Sequence, residues 1–456
     1  MTRVVADRSL QALVSANQIA SPPVKVCVVA LGKIGLPLAV QIAMKGHDVI
    51  GADVNADVVE MINSAVEPFP GEVGLQDALK QVVGSGRLRA TTATSEAVSQ
   101  SDSVLVVVPL IVDSEARPDF RALDAANGDI AAGLRPGTMV TYETTVPVGT
   151  TRERFTSALA DGSGLTPEED FFVVYSPERV YSGRIFEDLR KYPKLLGGLG
   201  PCSTARGVAF YEAVLDFDQR PDLSKPNGVW DLGSLEASEF AKVAETTYRD
   251  VNIGLANQFA KFADTIGIDV YKVIEASNSQ PFSHIHQPGI AVGGHCIPVY
   301  PRFYLTNDPS AEIVRAARAV NDSMPAYAVT KLQEMCGGSL VGRRVAVLGA
   351  AYRGGVKETA FSGVFAVVAS LRDAGAVPVV HDPLYTDAEL SAYGFTPFHL
   401  GEPCDAVVIQ SDHVEYRTLT PSDVPGAVAA LDGRRITGIE QWPEVTYDTI
   451  GAPNSR

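Results

Sequence analysis

The sequence predicts an α/β protein with two Rossmann-like, doubly wound domains joined by a long central helix and a helical region. Two segments, at 24–53 and 343–382, each follow the order strand, glycine turn, helix and second strand ending in an acid, as in nucleotide-binding βαβ units. Between them, residues 234–265 form the longest helical pattern. We therefore predict a tail (1–20), a first nucleotide-type domain (21–215), a central helical domain (216–325) and a second nucleotide-type domain (326–456).

The composition of the 456 residues is that of a globular protein, with 46% hydrophobic and 20% charged residues. A net charge of −16 argues against nucleic acid or an anionic membrane as the main partner. The five cysteines are too few and too irregularly spaced for a disulfide framework, so we expect a cytoplasmic protein. No apolar run reaches the roughly 20 residues of a membrane span, and residues 1–20 lack the apolar core of a signal peptide.

The first βαβ unit has a buried-strand pattern at 24–30 and a second strand at 47–53. Its turn contains Gly32 and Gly35, and Asp53 closes the second strand. In such units the helix N-terminus holds a pyrophosphate and the acid holds a ribose hydroxyl, and an acid here favours NAD over NADP. Ala30 departs from the G-x-G-x-x-G fingerprint, because it stands where the first glycine is expected.

Three further strands are predicted in this domain, at 103–108, 138–142 and 171–175. Polar runs follow the last two strands, at 143–150 and at 176–179. Ligands of open parallel sheets bind at the carboxyl ends of strands, so we expect both runs in one site. The alternative for each run alone is helix capping or turn formation. Residues 110–119 have no clear period and are predicted to form an exposed connection.

The long helical pattern carries apolar residues at steps of three and four, at 240, 244, 248, 251, 255, 259 and 262. At 1.5 Å per residue it extends over roughly 45 Å, which is long enough to bridge two domains. Lys242, Thr246 and Arg249 form a separate polar line on it. This line belongs either to a site or to a solvated face on which Glu239 and Glu245 pair with Lys242.

A loop rich in glycine and proline, at 288–301, contains Cys296. The prolines disfavour a helix or a central strand, and Gly289 and Gly293 allow a ligand to approach the backbone closely. A thiol in such a fixed loop is typical of a nucleophile, although a small packed hydrophobe is the alternative.

The second nucleotide-type unit follows a helical stretch at 311–321. Strands are predicted at 343–349, 376–382 and 406–411, and Arg353 and Lys357 supply positive charge near the glycine turn. Two nucleotide-type domains on either side of one thiol loop suggest two nucleotides that meet at a cysteine.

These motifs resemble those of the nucleotide-sugar dehydrogenases, the UDP-glucose/GDP-mannose/UDP-N-acetylhexosamine 6-dehydrogenase family. The likeness covers nearly the whole chain, and its most specific parts are Val-Gly-Gly-His-Cys-Ile-Pro at 292–298, Thr-Val-Pro-Val-Gly-Thr at 145–150 and Ser-Pro-Glu-Arg-Val at 176–180. The last run is more similar to the N-acetylhexosamine branch than to the glucose branch. The resemblance implies that two NAD⁺ oxidise the C6 alcohol of an NDP-hexose, expected to be a UDP-N-acetylhexosamine, to the uronic acid. It also implies a homodimer formed through the central helix.

The resemblance assigns chemical roles to matching positions. Cys296 attacks the C6 aldehyde to give a thiohemiacetal, which is oxidised to a thioester and then hydrolysed. Lys242 stabilises oxyanions at C6, Glu178 assists water and proton movement, and Thr145 orders water near the nicotinamide. The predicted catalytic residues are Cys296, Lys242, Glu178, Thr145 and Thr246.

Binding residues are assigned in the same way. For NAD they are Gly32, Ile34, Gly35, Asp53, Pro109, Thr145 and Lys357. For the sugar nucleotide they are Glu178, Arg179, Val180, Lys242, Arg249, His286, Gly289, Gly293, Tyr352 and Arg353.

Two further positions depart from the family pattern. Tyr300 stands where an aspartate is usual, four residues after the cysteine, and Thr246 replaces an asparagine. A tyrosine, with an ordinary pKa of about 10, is no base near neutral pH. The proton acceptor of the first oxidation is therefore open, and Lys242 with an ordered water is our substitute hypothesis.

Four alternatives stay open. The first is a UDP- or TDP-glucose 6-dehydrogenase that gives the glucuronate, and the second is a two-electron β-hydroxyacid-type dehydrogenase that needs no thiol. The third is a catalytically impaired protein that only binds sugar nucleotides. The fourth is a metal site formed by His284, His286, His295 and Cys296, although their spacing is not a standard zinc pattern and we expect no metal.

Overall fold

The computed structural model describes residues 24–113, 117–181 and 183–453. The predicted tail at 1–20 lies outside these residues. The chain forms two compact units. The N-terminal unit contains the residues up to Pro109, Arg121–Thr144 and Thr151–Ser238, and the C-terminal unit contains Leu110–Phe120, Thr145–Thr150 and all residues from Glu239 onward. The predicted domain boundaries near residues 20, 215 and 325 stay a prediction.

Eight strands of the N-terminal unit form one sheet. They are β1 (Lys25–Val29), β2 (Asp48–Ala52), β3 (Leu88–Thr91), β4 (Ser103–Val106), β7 (Met139–Tyr142), β8 (Phe172–Tyr175), β9 (Lys194–Gly198) and β10 (Val229–Asp231), while β5 (Ile111–Val112) and β6 (Pro118–Asp119) form a hairpin of the C-terminal unit. The sheet order is β10-β9-β8-β7-β4-β1-β2-β3, with only the β8–β9 pair antiparallel. The part from β3 to β8 has the strand order of dinucleotide-binding folds, so a ligand is expected where the order reverses, beyond β1 and β4.

The helices of this unit are α1 (Gly35–Met44), α2 (Ala56–Asn63), α3 (Leu75–Gly84), α4 (Thr94–Ser99), α5 (Arg121–Gly133), α6 (Ser157–Ser163), α7 (Ile185–Lys191) and α8 (Pro201–Val214). A π-helical turn, Thr151–Thr156, precedes α6. The strands are buried on both faces, with Val28, Leu105 and Val174 fully inaccessible. This double burial explains why the strands read as continuous apolar runs in the sequence.

The C-terminal unit combines helices with a second sheet. Its helices are α9 (Leu235–Ile266, whose first four residues belong to the N-terminal unit), α10 (Val270–Asn278), α11 (Tyr300–Asn307), α12 (Glu312–Met335), α13 (Gly363–Asp373) and α14 (Asp387–Ala392). Its main strands are β11 (Arg344–Leu348), β12 (Val377–His381), β13 (Ala406–Ile409), β14 (Ala429–Asp432) and β15 (Thr446–Thr449). They are all parallel, in the doubly wound order β12-β11-β13-β14-β15.

The predicted fold class, with a doubly wound sheet at each end of the chain and a long central helix, is confirmed. Two local predictions differ from the structure. The loop predicted at 288–301 ends at Val299, because Pro301 fits the first turn of α11, where no N–H donor is needed. The helix predicted at 311–321 continues to Met335, because burial of Met324, Ala328 and Leu332 outweighs the cost of about 3 kcal/mol for the interior Pro325.

Among the described residues, none of the helices combines the length and the apolar character that a membrane crossing requires.

Candidate active site

The glycine turn after β1 is shaped by close backbone packing. A Cβ on Gly35, the first residue of α1, would overlap the carbonyl oxygen of Ala30. A Cβ on Gly32 would meet no heavy atom within 4 Å, so this part of the turn faces open space. Ala30 itself has a φ of 75°, in the left-handed region that favours glycine. The backbone therefore adopts the glycine conformation of the fingerprint even though alanine occupies its first position.

Asp53 lies beside this turn at the end of β2. Its Oδ2 accepts the N–H of Leu31 at 2.8 Å, and its Oδ1 accepts the N–H of Asn55 at 2.9 Å. Each carboxylate oxygen keeps a lone pair for a ligand hydroxyl. Ile34 packs against the core beside the turn, and Pro109 is exposed after β4. An open glycine turn, a helix N-terminus and a fixed acid fit the pyrophosphate and ribose of NAD.

The loop that carries Cys296 belongs to the C-terminal unit and is pinned along its length. The N–H of Gly289 donates to Asn257 Oδ1 at 3.0 Å, and the N–H of Gly294 donates to the Ala360 carbonyl at 3.1 Å. A Cβ on Gly293 would lie 2.7 Å from Cβ of Tyr352, so this side chain requires glycine beside it. Cys296 is exposed at the end of this rigid segment, which is the setting a nucleophilic thiol needs.

The phenol group of Tyr300 lies close enough to the side chains of Cys296 and Thr145 for both to affect its pKa. Burial and the neighbouring Cys296 hold the pKa of Tyr300 well above its ordinary value. The phenol therefore stays protonated at neutral pH and serves as a hydrogen-bond donor, not as a base. Thr145 is almost fully buried beside it. The structure thus brings three residues together at the thiol: the predicted Cys296 and Thr145, and Tyr300.

Lys242 and Thr246 lie buried on one face of α9. Lys242 is only 7% exposed, and among the described residues no carboxylate lies within ion-pair distance of its ammonium group. The alternative pairing with Glu239 and Glu245 is therefore absent; Glu239 instead accepts the N–H of Gly149 at 2.6 Å. The Thr246 hydroxyl donates to carbonyl oxygens of its own helix at 3.0 and 3.1 Å, so it offers a ligand lone pairs and not a proton.

The next turns of α9 hold the segment that contains His286. The N–H of His286 donates to Asn252 Oδ1, and Asn252 Nδ2 donates to the His284 carbonyl, both at 2.8 Å. Burial and the neighbouring Arg249 lower the pKa of His286, so its imidazole is neutral at neutral pH. Two predicted substrate residues, Arg249 and His286, are therefore near enough for the charge of Arg249 to affect the imidazole. Within the described part of the chain, no three His, Cys, Asp or Glu side chains are grouped to hold a metal ion.

The basic residues near the second glycine turn separate into two environments. Arg353 Nε donates to the hydroxyl of Tyr352 at 3.0 Å, next to the Cys296 loop. Lys357 instead pairs with Glu389 at 2.5 Å, and both side chains are nearly half exposed. Lys357 therefore forms an ion pair at the surface, whereas Arg353 contacts Tyr352.

Asp382 occupies the place after β12 that Asp53 occupies after β2. It is almost fully buried, and its Oδ2 accepts the N–H groups of Ala350 and Ala351 at 2.8 and 2.9 Å. The same oxygen contacts His413 Nε2 at 3.1 Å, and Oδ1 accepts the N–H of Leu384 at 2.9 Å. The carboxylate thus fixes the second glycine turn from inside the protein.

Glu178, in the N-terminal unit, belongs to a buried group that we call the Glu143 cluster: Glu143, Glu178, Lys194 and Tyr211. Lys194 Nζ lies 2.7 Å from Glu143 Oε2 and 3.1 Å from Glu178 Oε2. The Tyr211 hydroxyl donates to Glu143 Oε1 at 2.5 Å. Beside the cluster, Arg179 extends over the ring of Tyr192, and Val180 packs on the core.

The cluster shifts the two carboxyl groups in opposite directions. Burial raises the pKa of Glu143 to about 7, because it outweighs the Lys194 ammonium, which lowers this pKa, and the charge of Glu178 adds to the rise. Burial alone would raise the pKa of Glu178 as well, but the Lys194 ammonium and the Arg179 N–H outweigh it and lower that pKa. The sequence placed the runs that contain Glu143 and Glu178 in one site, but it did not single out Glu143 and gave no role to Lys194 or Tyr211. The available signal was a lysine at the start of the buried strand β9.

Comparison with known proteins covers the same regions. The NAD binding domain of the UDP-glucose/GDP-mannose dehydrogenase family matches residues 24–215. The central domain of the family matches residues 236–323, and its UDP binding domain matches residues 346–438.

The chain is similar to the UDP-N-acetyl-D-mannosamine dehydrogenase of Pyrococcus horikoshii, with 33% identity over 90% of this chain and 96% of that protein. It is 35% identical to the Salmonella typhimurium protein of the same name, over 68% of this chain and 71% of the relative. The solved structure of the Pyrococcus horikoshii enzyme superposes with a TM-score of 0.83 at 31% identity, covering 94% of this chain and 99% of the other. A UDP-glucose dehydrogenase structure from Pyrobaculum islandicum also gives a TM-score of 0.83, at 27% identity over 95% of this chain and 99% of the other.

These matches confirm the predicted family and the prediction of an oxidoreductase that uses NAD. The UDP binding domain supports a sugar nucleotide as its small-molecule ligand. The chain belongs to the UDP-glucose/GDP-mannose dehydrogenase family.

Proposed function

We propose that this protein is a UDP-N-acetyl-D-mannosamine 6-dehydrogenase that oxidises the sugar C6 alcohol to the carboxylate. The observation that carries this proposal is the exposed Cys296 thiol in a pinned loop, with the protonated Tyr300 hydroxyl and Thr145 beside it. A thiol is needed because it keeps the aldehyde carbon bound and prepares it for a second oxidation. The names of the relatives at 33% and 35% identity support the choice of sugar.

When bound, NAD⁺ would supply the hydride acceptor for C6 in each of two steps. In the first step the proton of the C6 hydroxyl passes to an ordered water beside Lys242. Between these steps the sulfur of Cys296 adds to the C6 aldehyde, and the thiol proton moves to the new C6 oxygen. The resulting thiohemiacetal loses its second hydride and its hydroxyl proton to become a thioester, which water cleaves. Lys242 stabilises negative charge on the C6 oxygen. Its ammonium group is buried and has no ion pair among the described residues. Tyr300 donates a hydrogen bond to the sulfur.

A second candidate is UDP-glucose 6-dehydrogenase, because a UDP-glucose dehydrogenase structure has an equally high TM-score of 0.83. The two candidates differ in the group at C2 of the hexose, since the first substrate carries an N-acetyl group there and the second a hydroxyl.

A panel of sugar nucleotides separates these readings. The purified protein is incubated with NAD⁺ and one sugar nucleotide at a time: UDP-N-acetylmannosamine, UDP-N-acetylglucosamine, UDP-glucose, TDP-glucose or GDP-mannose. The NADH formed per sugar consumed is measured in each assay. We expect two NADH per sugar, and the highest kcat/KM with UDP-N-acetylmannosamine. One NADH per sugar contradicts the thioester route and supports the two-electron alternative. Binding without any NADH supports the impaired sugar-nucleotide-binding alternative.

We also propose that the protein is a homodimer formed through α9. Four large apolar side chains of this helix, Phe240, Tyr248, Leu255 and Phe262, are 46% to 60% exposed in the single chain. The last three recur every seven residues, the spacing of a helix–helix seam. Light scattering should give the mass of a dimer, and the double variant Leu255→Glu/Phe262→Glu should give the mass of a monomer.

We also propose a cytoplasmic location for the protein, because all five cysteines are free.

A further inference from the structure

The Glu143 cluster holds more negative than positive charge inside the protein. Two carboxyl groups face one ammonium, and the side chains of Glu143, Lys194 and Glu178 are 0%, 5% and 12% exposed. An unpaired charge at such a site is costly, so the cluster favours binding one proton. The structure therefore provides a buried proton-binding group directly behind the predicted catalytic residue Glu178.

Resting on the proposed function, we propose that Glu143 is a positioning residue that receives the proton which Glu178 takes from water during thioester hydrolysis. Lys194 holds the two carboxyl groups together for this transfer. The water oxygen bonds to the thioester carbon, and the C–S bond breaks with its electron pair going to the sulfur of Cys296. One water proton passes to Glu178 and then to Glu143; the second leaves with the new carboxyl group and is taken up by the thiolate.

The contacts within the cluster fit a single transfer step. The carboxylates of Glu143 and Glu178 both contact Lys194 Nζ, at 2.7 and 3.1 Å, and the N–H of Glu178 donates to the Glu143 carbonyl at 3.2 Å. The N–H of Arg179 donates to Glu178 Oε1 at 2.6 Å, which fixes the outer carboxylate. Glu178 has the largest exposed fraction of the three charged side chains, so a proton from water reaches Glu178 first.

The charged and titratable groups that face Glu143 come from three elements. Lys194 lies on β9, Glu178 follows β8, Tyr211 lies on α8, and Glu143 itself follows β7. The pKa of Glu143 is raised to about 7 by burial and Glu178, whereas Lys194 and Tyr211 act to lower it. Removing Tyr211 should therefore move the titration of Glu143 to higher pH, and removing Glu143 should abolish it.

The test compares Glu143→Gln and Tyr211→Phe with the wild type in steady-state kinetics from pH 5.5 to about 9, a range that brackets this titration. We expect Glu143→Gln to lower kcat by roughly ten- to a hundredfold with little change in KM, and to lose the limb of the pH profile near neutrality. Tyr211→Phe should keep this limb but shift it to higher pH. Glu187→Gln is the matched control, because Glu187 forms an exposed ion pair with Lys191 in the same unit. An unchanged pH profile in Glu143→Gln overturns the proposal.

Infrared titration of the wild type without substrate gives an independent readout. A carboxylic-acid C=O band should disappear as the pH rises through neutrality, and it should be missing in Glu143→Gln. Its absence from the wild type overturns the proposal even if a variant fails to fold. If the band titrates as expected but no uronate forms from any sugar nucleotide, the proposed function fails while the proton-binding role of Glu143 stands.

Discussion

The backbone N–H of Tyr300 donates to the carbonyl oxygen of Cys296 at 2.9 Å. This bond closes a turn that leads into α11, and the side chain of the same tyrosine lies close to the thiol. Main chain and side chain of one residue therefore fix the position of the candidate nucleophile. Because the phenol stays protonated, it can donate to a thiolate but cannot accept the proton that an aspartate could accept.

Tyr300→Phe should lower kcat by roughly tenfold or more with a small change in KM, because a hydrogen bond to a charged group contributes about 1.5–3 kcal/mol. Steady-state NADH production measures this change. Tyr304→Phe is the matched control, since Tyr304 lies on the same helix but stacks on Phe240. Equal kcat values for Tyr300→Phe and the wild type would show that the hydroxyl does not support the thiol.

Cys296→Ser should abolish uronate formation, because a serine oxygen gives no thioester. We expect aldehyde-level chemistry or a trapped adduct, seen by mass spectrometry, and a fall in kcat of roughly a hundredfold or more. Cys202→Ser, at the other exposed cysteine, should retain full activity. Conversion of the sugar nucleotide to its uronate by Cys296→Ser at the wild-type rate would contradict the thioester route.

Two substitutions test the glycine turn in opposite directions. Ala30→Gly should stabilise the protein by about 1 kcal/mol, because it relieves a left-handed φ of 75° at an alanine. Gly35→Ala should abolish NAD binding or folding, because the added Cβ overlaps the Ala30 carbonyl oxygen. Thermal unfolding and NAD titration by calorimetry measure both effects.

Ala65→Gly is the control for the first substitution. Ala65 has a φ of 57° outside the predicted NAD site, so its replacement should raise the melting temperature without changing NAD affinity. A lower melting temperature for Ala30→Gly would contradict the strain argument.

The unfolding free energy should depend on pH through Glu143. Folding raises the pKa of this group from its ordinary value of 4.5 to about 7, so the folded chain binds more protons than the unfolded chain between these pH values. The contribution is therefore fully present below pH 4.5 and is lost as the pH rises through about 7. The stability of the wild type relative to Glu143→Gln should fall by about 1 to 3 kcal/mol across this window.

Chemical denaturation at several pH values measures this difference, in which other titrating groups cancel. A constant difference between the two proteins would show that Glu143 does not change its protonation on folding. Glu178 does not contribute to this change in the unfolding free energy, because its pKa is lowered and lies below the pH window.

Much of the fold could be predicted from the sequence because its signals are local. A buried parallel strand needs a continuous apolar run, and the turn after β1 needs glycine at Gly35, so both leave a direct mark in the sequence. The predicted long helix at 234–265 corresponds to Leu235–Ile266 for the same reason. Helix α12 extended further than predicted, because the burial that offsets Pro325 comes from tertiary packing.

The sequence brought the runs of Glu143 and Glu178 together, but it could not show that Lys194 and Tyr211 join them, because these two residues lie far away in the sequence. Lys194 contacts Glu143 across 51 positions, and Tyr211 contacts Glu143 across 68. A lysine at the start of an apolar strand is ambiguous until the sheet order is known. Likewise, helix spacing does not reveal that Glu239 accepts the N–H of Gly149, while Lys242 has no ion pair within the described residues.

The burial of Asp382 has a consequence for how NAD binds and dissociates during turnover. Its carboxylate is hydrogen-bonded to backbone N–H groups of its own unit and to His413. It is therefore not available to bind a ribose hydroxyl, whereas Asp53 is predicted to bind one. On the proposed thioester route, both equivalents of NAD⁺ would then bind in succession at the predicted site beside Asp53. On that route NADH would dissociate and NAD⁺ would bind while the sugar stays covalently bound to the sulfur of Cys296. The lifetime of the thiohemiacetal would therefore have to exceed the time of one cofactor exchange.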